Sequence, residues 1–217
     1  MGHHHDLSKV LGEEKSMTEF DRQYELMRIT KTGSESLKQA FRDTRNILVH
    51  EGVEGHQVVL WMVPEYRTAI MSLRDPVERF RSGYDMNYRI NHANIRERYP
   101  TASDMALDIG RIMYDMEWGY TYLPQVFWTR GAEYIQKRQA VWVMTQDIDD
   151  FIERFPAERK NVTNIHHNAQ INFKGLTPSQ LSPAAIGALQ TAYAADFKML
   201  RDLGVPDSYF KHLQGRL

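Results

Sequence analysis

The sequence predicts an α/β fold in which a mostly parallel central sheet lies between helices in a three-layer arrangement. Short apolar runs bounded by charged or turn residues are typical of buried strands, and they alternate along the chain with segments of helical periodicity. Such alternation favours parallel strands joined by right-handed helical crossovers. The predicted strands are residues 24–29, 46–50, 67–73 and 140–144.

Helical periodicity places helices between and after these strands. The stretch from Tyr84 to Arg130 interrupts the alternation with helix only, so we expect it to form a helical cap over the strand ends. Residues 156–182 are expected to be mostly loop. The predicted helices are 35–45, a short one near 55–62, 76–90, 102–117, 119–136, 147–155, 183–203 and a last short one at 206–213.

Length and composition indicate one soluble domain. The 217 residues suffice for a single domain at 21–217 after a flexible tail at 1–20, whose GHHH run resembles a purification tag. The absence of cysteine excludes disulfides and thiol catalysis, and a net charge of −1 argues against a nucleic-acid partner. No apolar run reaches membrane-spanning length and no signal-peptide pattern occurs, so we expect no membrane insertion and a cytoplasmic location.

Residues 73–84 (LRDPVERFRSGY) predict a strand that turns directly into a helix. Asp75 is a good helix N-cap, and Pro76 suits the first helical position. Arg74 ends the strand and Ser82 lies on the following helix. Guanidinium and hydroxyl donors at the carboxyl end of a strand suit a phosphate, because ligands bind at such ends in open α/β sheets. A plain strand-to-helix junction with a surface ion pair is the alternative interpretation.

A second strand, tight loop and helix precede this segment, where 24–29 leads into TKTGSESL at 30–37. Gly33 allows a turn that a side chain would obstruct. Unpaired backbone N–H groups at the helix start, together with nearby hydroxyls, make an anion site, and Lys31 adds a mobile charge. The pattern is not a Walker loop, because the lysine precedes the glycine. A Gly-Ser pair that merely caps a helix is the simpler alternative.

In this order, the two segments resemble the nucleotide loops of sulfotransferases that use 3′-phosphoadenosine-5′-phosphosulfate (PAPS), with the carbohydrate-type branch the most similar. The resemblance covers roughly residues 24 to 204 and implies the P-loop-like sulfotransferase fold. Thr30 and Glu35 depart from the pattern, where the family usually has proline and threonine. Later segments that fit the same branch are Leu123–Gln125, Val141–Phe151, Asn164–Asn168 and Leu181–Gly204.

The resemblance implies transfer of a sulfuryl group from PAPS to an acceptor hydroxyl, expected on a carbohydrate, with adenosine 3′,5′-bisphosphate as product and no metal required. Lys31 would stabilise the leaving phosphate. Arg74 and Ser82 would hold the 3′-phosphate, with Arg79 as a supporting ion pair behind them. The other cofactor contacts would come from the loop residues Thr32, Gly33, Ser34, Glu35, Ser36 and Leu37.

The general base is expected where the second strand ends. His50 precedes Arg74 at a family-like spacing, and a neutral imidazole suits proton abstraction near neutral pH. Glu51 is a rival, because some relatives use a glutamate, and His56 has a weaker claim because it falls within a predicted helix. Two other functions stay open: a nucleotide-binding protein of the same fold without transferase activity, and a nucleotide-kinase-like phosphoryl transferase, for which no magnesium ligand or Walker lysine is evident.

Overall fold

The computed structural model describes residues 23–42, 44, 46–50, 52, 56–138, 140–155 and 180–210. Within them, four strands form one sheet in which every neighbouring pair is parallel, which confirms the predicted α/β class. All four predicted strands are present, each within two residues of its expected bounds. They are β1 (Tyr24–Met27), β2 (Ile47–Val49), β3 (Thr68–Leu73) and β4 (Ala140–Met144).

The order of the strands across the sheet is β2-β1-β3-β4. The chain leaves β1 towards β2 on one side and leaves β3 towards β4 on the other, so the strand order reverses between β1 and β3. In open parallel sheets, the ligand crevice lies outside the carboxyl ends of the two strands at such a reversal. The two loops singled out by the sequence follow these two strands, β1 and β3.

Helices pack against both faces of the sheet. Successive side chains of a strand point to opposite faces, and here both sets include buried apolar residues that the helices cover. On one face, Leu26 and Ile70 belong to a buried cluster with side chains of the helices Ser34–Phe41 and Ile148–Arg154. On the other, Met27 and Met71 belong to a larger cluster with side chains of helices that include Pro76–Ile90 and Pro183–Ala192. The helices are α1 (Ser34–Phe41), α2 (Pro76–Ile90), α3 (Ile95–Arg98), α4 (Ala102–Leu107), α5 (Ile109–Ile112), α6 (Val126–Thr129), α7 (Ala132–Lys137), α8 (Ile148–Arg154), α9 (Pro183–Ala192) and α10 (Ala194–Asp202).

Helix α2 has the predicted bounds of 76–90. The Asp75 carboxylate accepts the backbone N–H of Val77 at 2.8 Å, and Pro76 occupies the first turn, where it leaves no N–H unpaired. The helix ends at Asn91, whose φ of 50° is left-handed. Local capping signals therefore set both ends of this helix.

Two predicted helices are broken into short pieces. The expected helix at 102–117 is wrong, because α4 and α5 meet at Asp108, whose φ of −101° is not helical, and a 3-10 turn follows them. The expected helix at 119–136 is also wrong, because Gly119 at φ 56° and Gly131 at φ 93° adopt conformations that a right-handed helix does not contain.

Smaller differences affect other helices. The first helix ends at Phe41 rather than at 45, and the helix expected near 55–62 is a 3-10 turn at Leu60–Met62. The helix expected at 183–203 is divided at Tyr193 into α9 and α10, and the last one is a 3-10 turn at Asp207–Tyr209.

Several sequence expectations lie outside the described residues, namely the tail at 1–20, Glu51, the Asn164–Asn168 segment and positions 211–213. In the part of the chain that the structure describes, no helix has the length and apolar character needed to cross a bilayer.

Candidate functional site

The loops that follow β1, β3 and β4 meet at the carboxyl edge of the sheet. The Arg74 guanidinium, after β3, donates to the backbone carbonyl of Lys31, after β1, at 3.3 Å. Thr145 Oγ1, after β4, lies 2.6 Å from the Thr32 carbonyl and 3.0 Å from the Leu73 carbonyl. The structure thus brings Lys31 and Arg74 together, and side chains from three strand ends fix the backbone around them.

The β1–α1 loop turns through two left-handed residues, Lys31 at φ 62° and Gly33 at φ 85°. The φ of Gly33 strains any residue with a Cβ, and a Cβ there would also lie 2.4 Å from Ile148 Cδ1 and force that side chain on α8 to shift. The backbone N–H groups of residues 32–35 find no hydrogen-bond acceptor among the described residues. Unpaired N–H groups at a helix N-terminus, where the helix dipole is positive, attract an anion.

The loop hydroxyls point inward rather than towards the crevice. Thr32 Oγ1 lies 2.9 Å from the Ile29 carbonyl and 2.8 Å from Ser72 Oγ, and Ser34 Oγ donates to the same carbonyl at 3.0 Å. Both side chains are buried. They close the loop on itself, so the groups left for an anion are backbone N–H groups and the hydroxyl of the half-buried Ser36 on α1. Leu37 is fully buried in the core beneath α1.

The Glu35 carboxylate is matched by basic groups. Its Oε2 lies 3.0 Å from the Arg28 guanidinium and its Oε1 lies 3.6 Å from Lys38 Nζ. Arg28 is nearly buried and also donates to the carbonyls of His50 and Gly52 at 3.1 Å and 2.8 Å. Glu35 therefore ties α1 to the chain that leaves β2, which explains how a carboxylate is tolerated in this loop.

Thr30 and Arg79 join the loop to the segment that precedes α6. The fully buried Arg79 donates to the Thr30 carbonyl at 2.9 Å, to Thr30 Oγ1 at 3.2 Å and to the Thr121 carbonyl at 3.1 Å. Thr30 Oγ1 donates in turn to the Tyr120 carbonyl at 2.8 Å. Arg79 thus positions the loop through its backbone, and the hydroxyl of Thr30 gives this threonine a role that proline does not fill.

Positive charge accumulates where β1 and β3 end. Lys31 Nζ lies 3.5 Å from Met86 Sδ, and the charges of three arginines act on it. We call these four residues, Lys31, Arg74, Arg79 and Arg89, the cationic cluster. Burial, and then the neighbouring arginines, lower the pKa of Lys31 to about 8, while Asp85 acts in the opposite direction. Burial also lowers the pKa of Arg74. Arg79 is buried, Lys31 and Arg74 are half-buried and Arg89 is exposed. An excess of cations that water reaches only in part favours binding of an anion.

Ser82, the other residue expected at the 3′-phosphate, lies on α2 one turn before Asp85 and Met86 and two turns before Arg89. Helical spacing puts these four residues on one face. Because Met86 contacts Lys31, this is the face that α2 turns towards the β1–α1 loop. Close packing of α2 requires Gly83, where a Cβ would lie 2.8 Å from Thr121 Cγ2.

Gln125 fixes the backbone of Arg74 and was not among the sequence candidates. Its Oε1 accepts the Arg74 N–H at 2.9 Å and its Nε2 donates to the Arg74 carbonyl at 2.8 Å. The buried Asp196 carboxylate accepts the backbone N–H groups of Gln125 and Val126 at 2.8 Å and 2.9 Å. In the sequence, Gln125 stood out only as part of the Leu123–Gln125 segment, which fits the resemblance, and nothing there indicated a contact with Arg74.

His50 takes part in a different group. Its Nε2 lies 2.9 Å from Glu25 Oε1, and Arg67 donates to Glu25 Oε2 at 2.9 Å. We call these three residues the Glu25 cluster. Glu25 is nearly buried within β1, and Arg67 lies at the amino end of β3. In the described part of the chain, no hydrogen bond or ion pair links His50 to Lys31, Arg74 or Ser82.

The ring of His56, which was predicted to lie in a helix, contacts the chain at the start of the β1–α1 loop. Its Nδ1 is 2.6 Å from the carbonyl of Arg28, the first residue after β1. Its own carbonyl accepts the Trp128 indole N–H at 2.8 Å, and the Arg79 guanidinium carbon lies 5.5 Å from the Trp128 ring centroid. His56, Trp128 and Arg79 therefore enclose the first residues of the loop. Burial lowers the pKa of His56.

No protein-family model, curated protein or solved structure matches the chain. Over the described ranges, no three His, Asp or Glu side chains are grouped so that they could hold a metal ion. Arguments about function therefore depend on the geometry of this edge of the sheet and on the resemblance of its two loops.

Proposed function

We propose that this protein is a PAPS-dependent sulfotransferase with a P-loop-like fold, and that its acceptor is a hydroxyl on a carbohydrate. The main support is the contact between the Arg74 guanidinium and the Lys31 carbonyl where the strand order reverses. It joins the two loops that resemble the nucleotide loops of this family, at the place where open α/β sheets bind ligands. The cationic cluster around this contact suits a ligand with two separate phosphate groups.

Each part of the donor has a matching group in this arrangement. The N–H groups of residues 32–35 and the dipole of α1 would take the 5′-phosphate. Arg74 offers a fork of N–H donors to the 3′-phosphate, and Ser82 offers a hydroxyl from α2. Lys31 would neutralise charge on the oxygen that leaves sulfur. In a loose, charge-spread transition state, such positioning and charge stabilisation supply most of the catalysis.

In the proposed reaction, the acceptor oxygen forms a bond to sulfur while the bond between sulfur and the 5′-phosphate oxygen breaks. The electron pair of that bond leaves with adenosine 3′,5′-bisphosphate, and the acceptor proton passes to a general base. Phosphoryl transfer from ATP receives less support, because the hydroxyls of Thr32 and Ser34 are bonded within the loop rather than open to a magnesium ion.

A nucleotide-binding protein without transferase activity is the second candidate. It is favoured by the position of His50, whose ring is held by Glu25 rather than by the residues around Lys31. This candidate and the sulfotransferase share the same donor site. They differ in whether bound PAPS is turned over.

The donor site is tested by calorimetric titration with adenosine 3′,5′-bisphosphate and with adenosine 5′-monophosphate, which lacks the 3′-phosphate. We expect the bisphosphate to bind at least about tenfold more tightly, because a charge-assisted contact contributes about 1.5–3 kcal/mol. Arg74→Ala should remove most of this preference. Arg111→Ala, an arginine exposed on α5, is the matched control and should leave it unchanged. No binding of the bisphosphate at millimolar concentration would overturn the proposal.

A further inference from the structure

We propose that His56 is the general base of this transfer, an assignment that rests on the proposed function. It differs from the sequence expectation, which favoured His50 or Glu51. The hydrogen bond between the His56 ring and the Arg28 carbonyl carries the inference, because it fixes both the orientation and the tautomer of the imidazole. It does so immediately after β1, three positions before Lys31 in the chain.

The tautomer follows from the chemistry of the contact. A carbonyl oxygen can only accept, so Nδ1 of His56 must carry the proton that it donates across 2.6 Å. In a neutral imidazole, the other nitrogen then has a free lone pair. Among the described residues, the one hydrogen bond of the His56 ring is that of Nδ1 to the Arg28 carbonyl. The ring is therefore oriented by one nitrogen and able to accept a proton at the other.

The surroundings of His56 favour the neutral ring. Burial is the largest influence and lowers its pKa, and the charges of Arg28 and Lys38 lower it further. The bond to the Arg28 carbonyl and the charge of Glu35 act in the opposite direction without reversing the shift. A base must be unprotonated before it can accept, and these groups keep His56 unprotonated at neutral pH.

The His56 ring is held by the carbonyl of Arg28, three positions before Lys31, and the His56 backbone is joined to the same loop by a second route. Contacts run from His56 through Trp128 and Arg79 to Thr30, the residue before Lys31. His50 instead bonds through Nε2 to a carboxylate that it shares with Arg67. The buried carboxylate of Glu25 is thus bonded on both oxygens within the protein, without a ligand.

In the proposed step, the acceptor hydroxyl loses its proton to Nε2 of His56 as its oxygen bonds to sulfur. The sulfur–oxygen bond to the 5′-phosphate breaks, and Lys31 stabilises the charge that develops on the leaving oxygen. The products are the sulfated acceptor, adenosine 3′,5′-bisphosphate and a protonated His56, which returns its proton to water. No oxidant, reductant or further reactant is needed.

The test compares His56→Gln with His92→Gln in the full chain. Glutamine can still donate to a carbonyl but cannot act as a base at neutral pH. His92 is the matched control, because its Nε2 also lies 2.7 Å from a backbone carbonyl, that of Glu117, but on the exposed cap. Radiolabelled PAPS is the probe, with transfer measured to a sugar library and hydrolysis measured with water as acceptor.

We expect His56→Gln to bind adenosine 3′,5′-bisphosphate like the wild type and to lose about 100-fold or more in turnover, since general-base catalysis contributes about 10²–10⁴-fold. His92→Gln should be unaffected. Normal turnover by His56→Gln would overturn the assignment alone, and loss in His50→Gln instead would assign the role to His50. Absence of bisphosphate binding by the wild type would overturn the proposed function and this assignment together. Binding with neither transfer nor hydrolysis would overturn the assignment and favour the non-catalytic candidate.

The ring itself gives a readout that is independent of turnover. In long-range proton–nitrogen NMR, the signal that disappears in His56→Gln should show a protonated Nδ1 and an unprotonated Nε2. It should also titrate at lower pH than an ordinary histidine, because burial lowers the pKa of His56. A protonated Nε2 at neutral pH would overturn the assignment whatever the acceptor is.

Discussion

The cationic cluster and the Glu25 cluster both bury charge beside β1, but they compensate it differently. In the Glu25 cluster, the one carboxylate is bonded on both oxygens, at 2.9 Å from His50 and 2.9 Å from Arg67. In the cationic cluster, Asp85 raises the pKa of Lys31, and Glu78 and Asp75 raise that of Arg74. Burial and neighbouring arginines nevertheless lower both pKa values on balance. The first arrangement is complete without a ligand, whereas the second becomes favourable when an anion arrives. Charge balance therefore separates a group that stabilises the fold from one that is suited to binding.

The largest expected effect is the loss of the carboxylate in the Glu25 cluster. Glu25→Ala should reduce the free energy of unfolding by about 3 kcal/mol, because it leaves Arg67 and His50 without their partner beside a buried strand. Urea denaturation measures the change. Glu133→Ala removes an exposed ion pair with Lys137 and should cost less than about 0.5 kcal/mol. Equal effects of the two substitutions would contradict the comparison.

Lys31→Met should weaken ligand binding without reducing stability, the reverse of what is expected at Glu25. Methionine keeps the length and the backbone demands of the side chain but removes a charge that burial opposes, so stability should stay within about 0.5 kcal/mol of the wild type or rise. Affinity for adenosine 3′,5′-bisphosphate should fall at least about tenfold, or about 1.4 kcal/mol. Lys137→Met, at an exposed lysine, serves as the control in both measurements. A destabilised Lys31→Met with normal affinity would mean that Lys31 is structural.

The smallest expected effect is the dependence of folding stability on pH that arises from the protonation of Lys31. The pKa of Lys31 is about 8 in the folded protein against 10.5 for an ordinary lysine. Between these values the unfolded chain binds more protons, so the contribution of Lys31 to stability rises with pH across this range and is least favourable below pH 8.

An anion bound at Lys31 should raise this pKa again. Bisphosphate binding at pH 8 should therefore take up about half a proton and should weaken as pH rises further. Calorimetry in two buffers with different ionisation enthalpies measures this uptake. Lys31→Met should abolish it, and uptake that persists in that variant would point to another group.

Where the signals are local, the sequence predicted the fold closely. Helix α2 depends on a cap at Asp75 and on Pro76, both readable from neighbouring residues. The long helices expected in the cap failed because Asp108 leaves the helical conformation and because Gly119 and Gly131 adopt positive φ angles, which periodicity does not reveal. The sheet was predicted as parallel, but its order depends on contacts between distant strands, so it became known only from the structure.

For the site, as for the fold, the features that depend on neighbouring residues or on topology could be predicted, and those that depend on contacts between distant residues could not. Lys31 and Arg74 follow strands, so their meeting follows from topology. The direction of an imidazole does not, because His50 is held by a residue 25 positions away and His56 by one 28 positions away. The role of Gln125 was equally hidden, since an amide reveals its partner only when the chain has folded. Sequence identified the residue types, and tertiary contacts decided which partners each side chain has.

The hydrogen bonds between Gln125 and Arg74 also bear on when the site can form as the chain folds. The backbone of Arg74 is held by the side chain of Gln125, and the backbone of Gln125 is held by Asp196 in α10. These partners are separated by 51 and 71 positions along the chain. Contacts of such long sequence separation form slowly, and during synthesis they must wait for their later partner to leave the ribosome. A nascent chain that ends before α10 therefore contains both loops and Gln125 but lacks Asp196, which holds the backbone of Gln125.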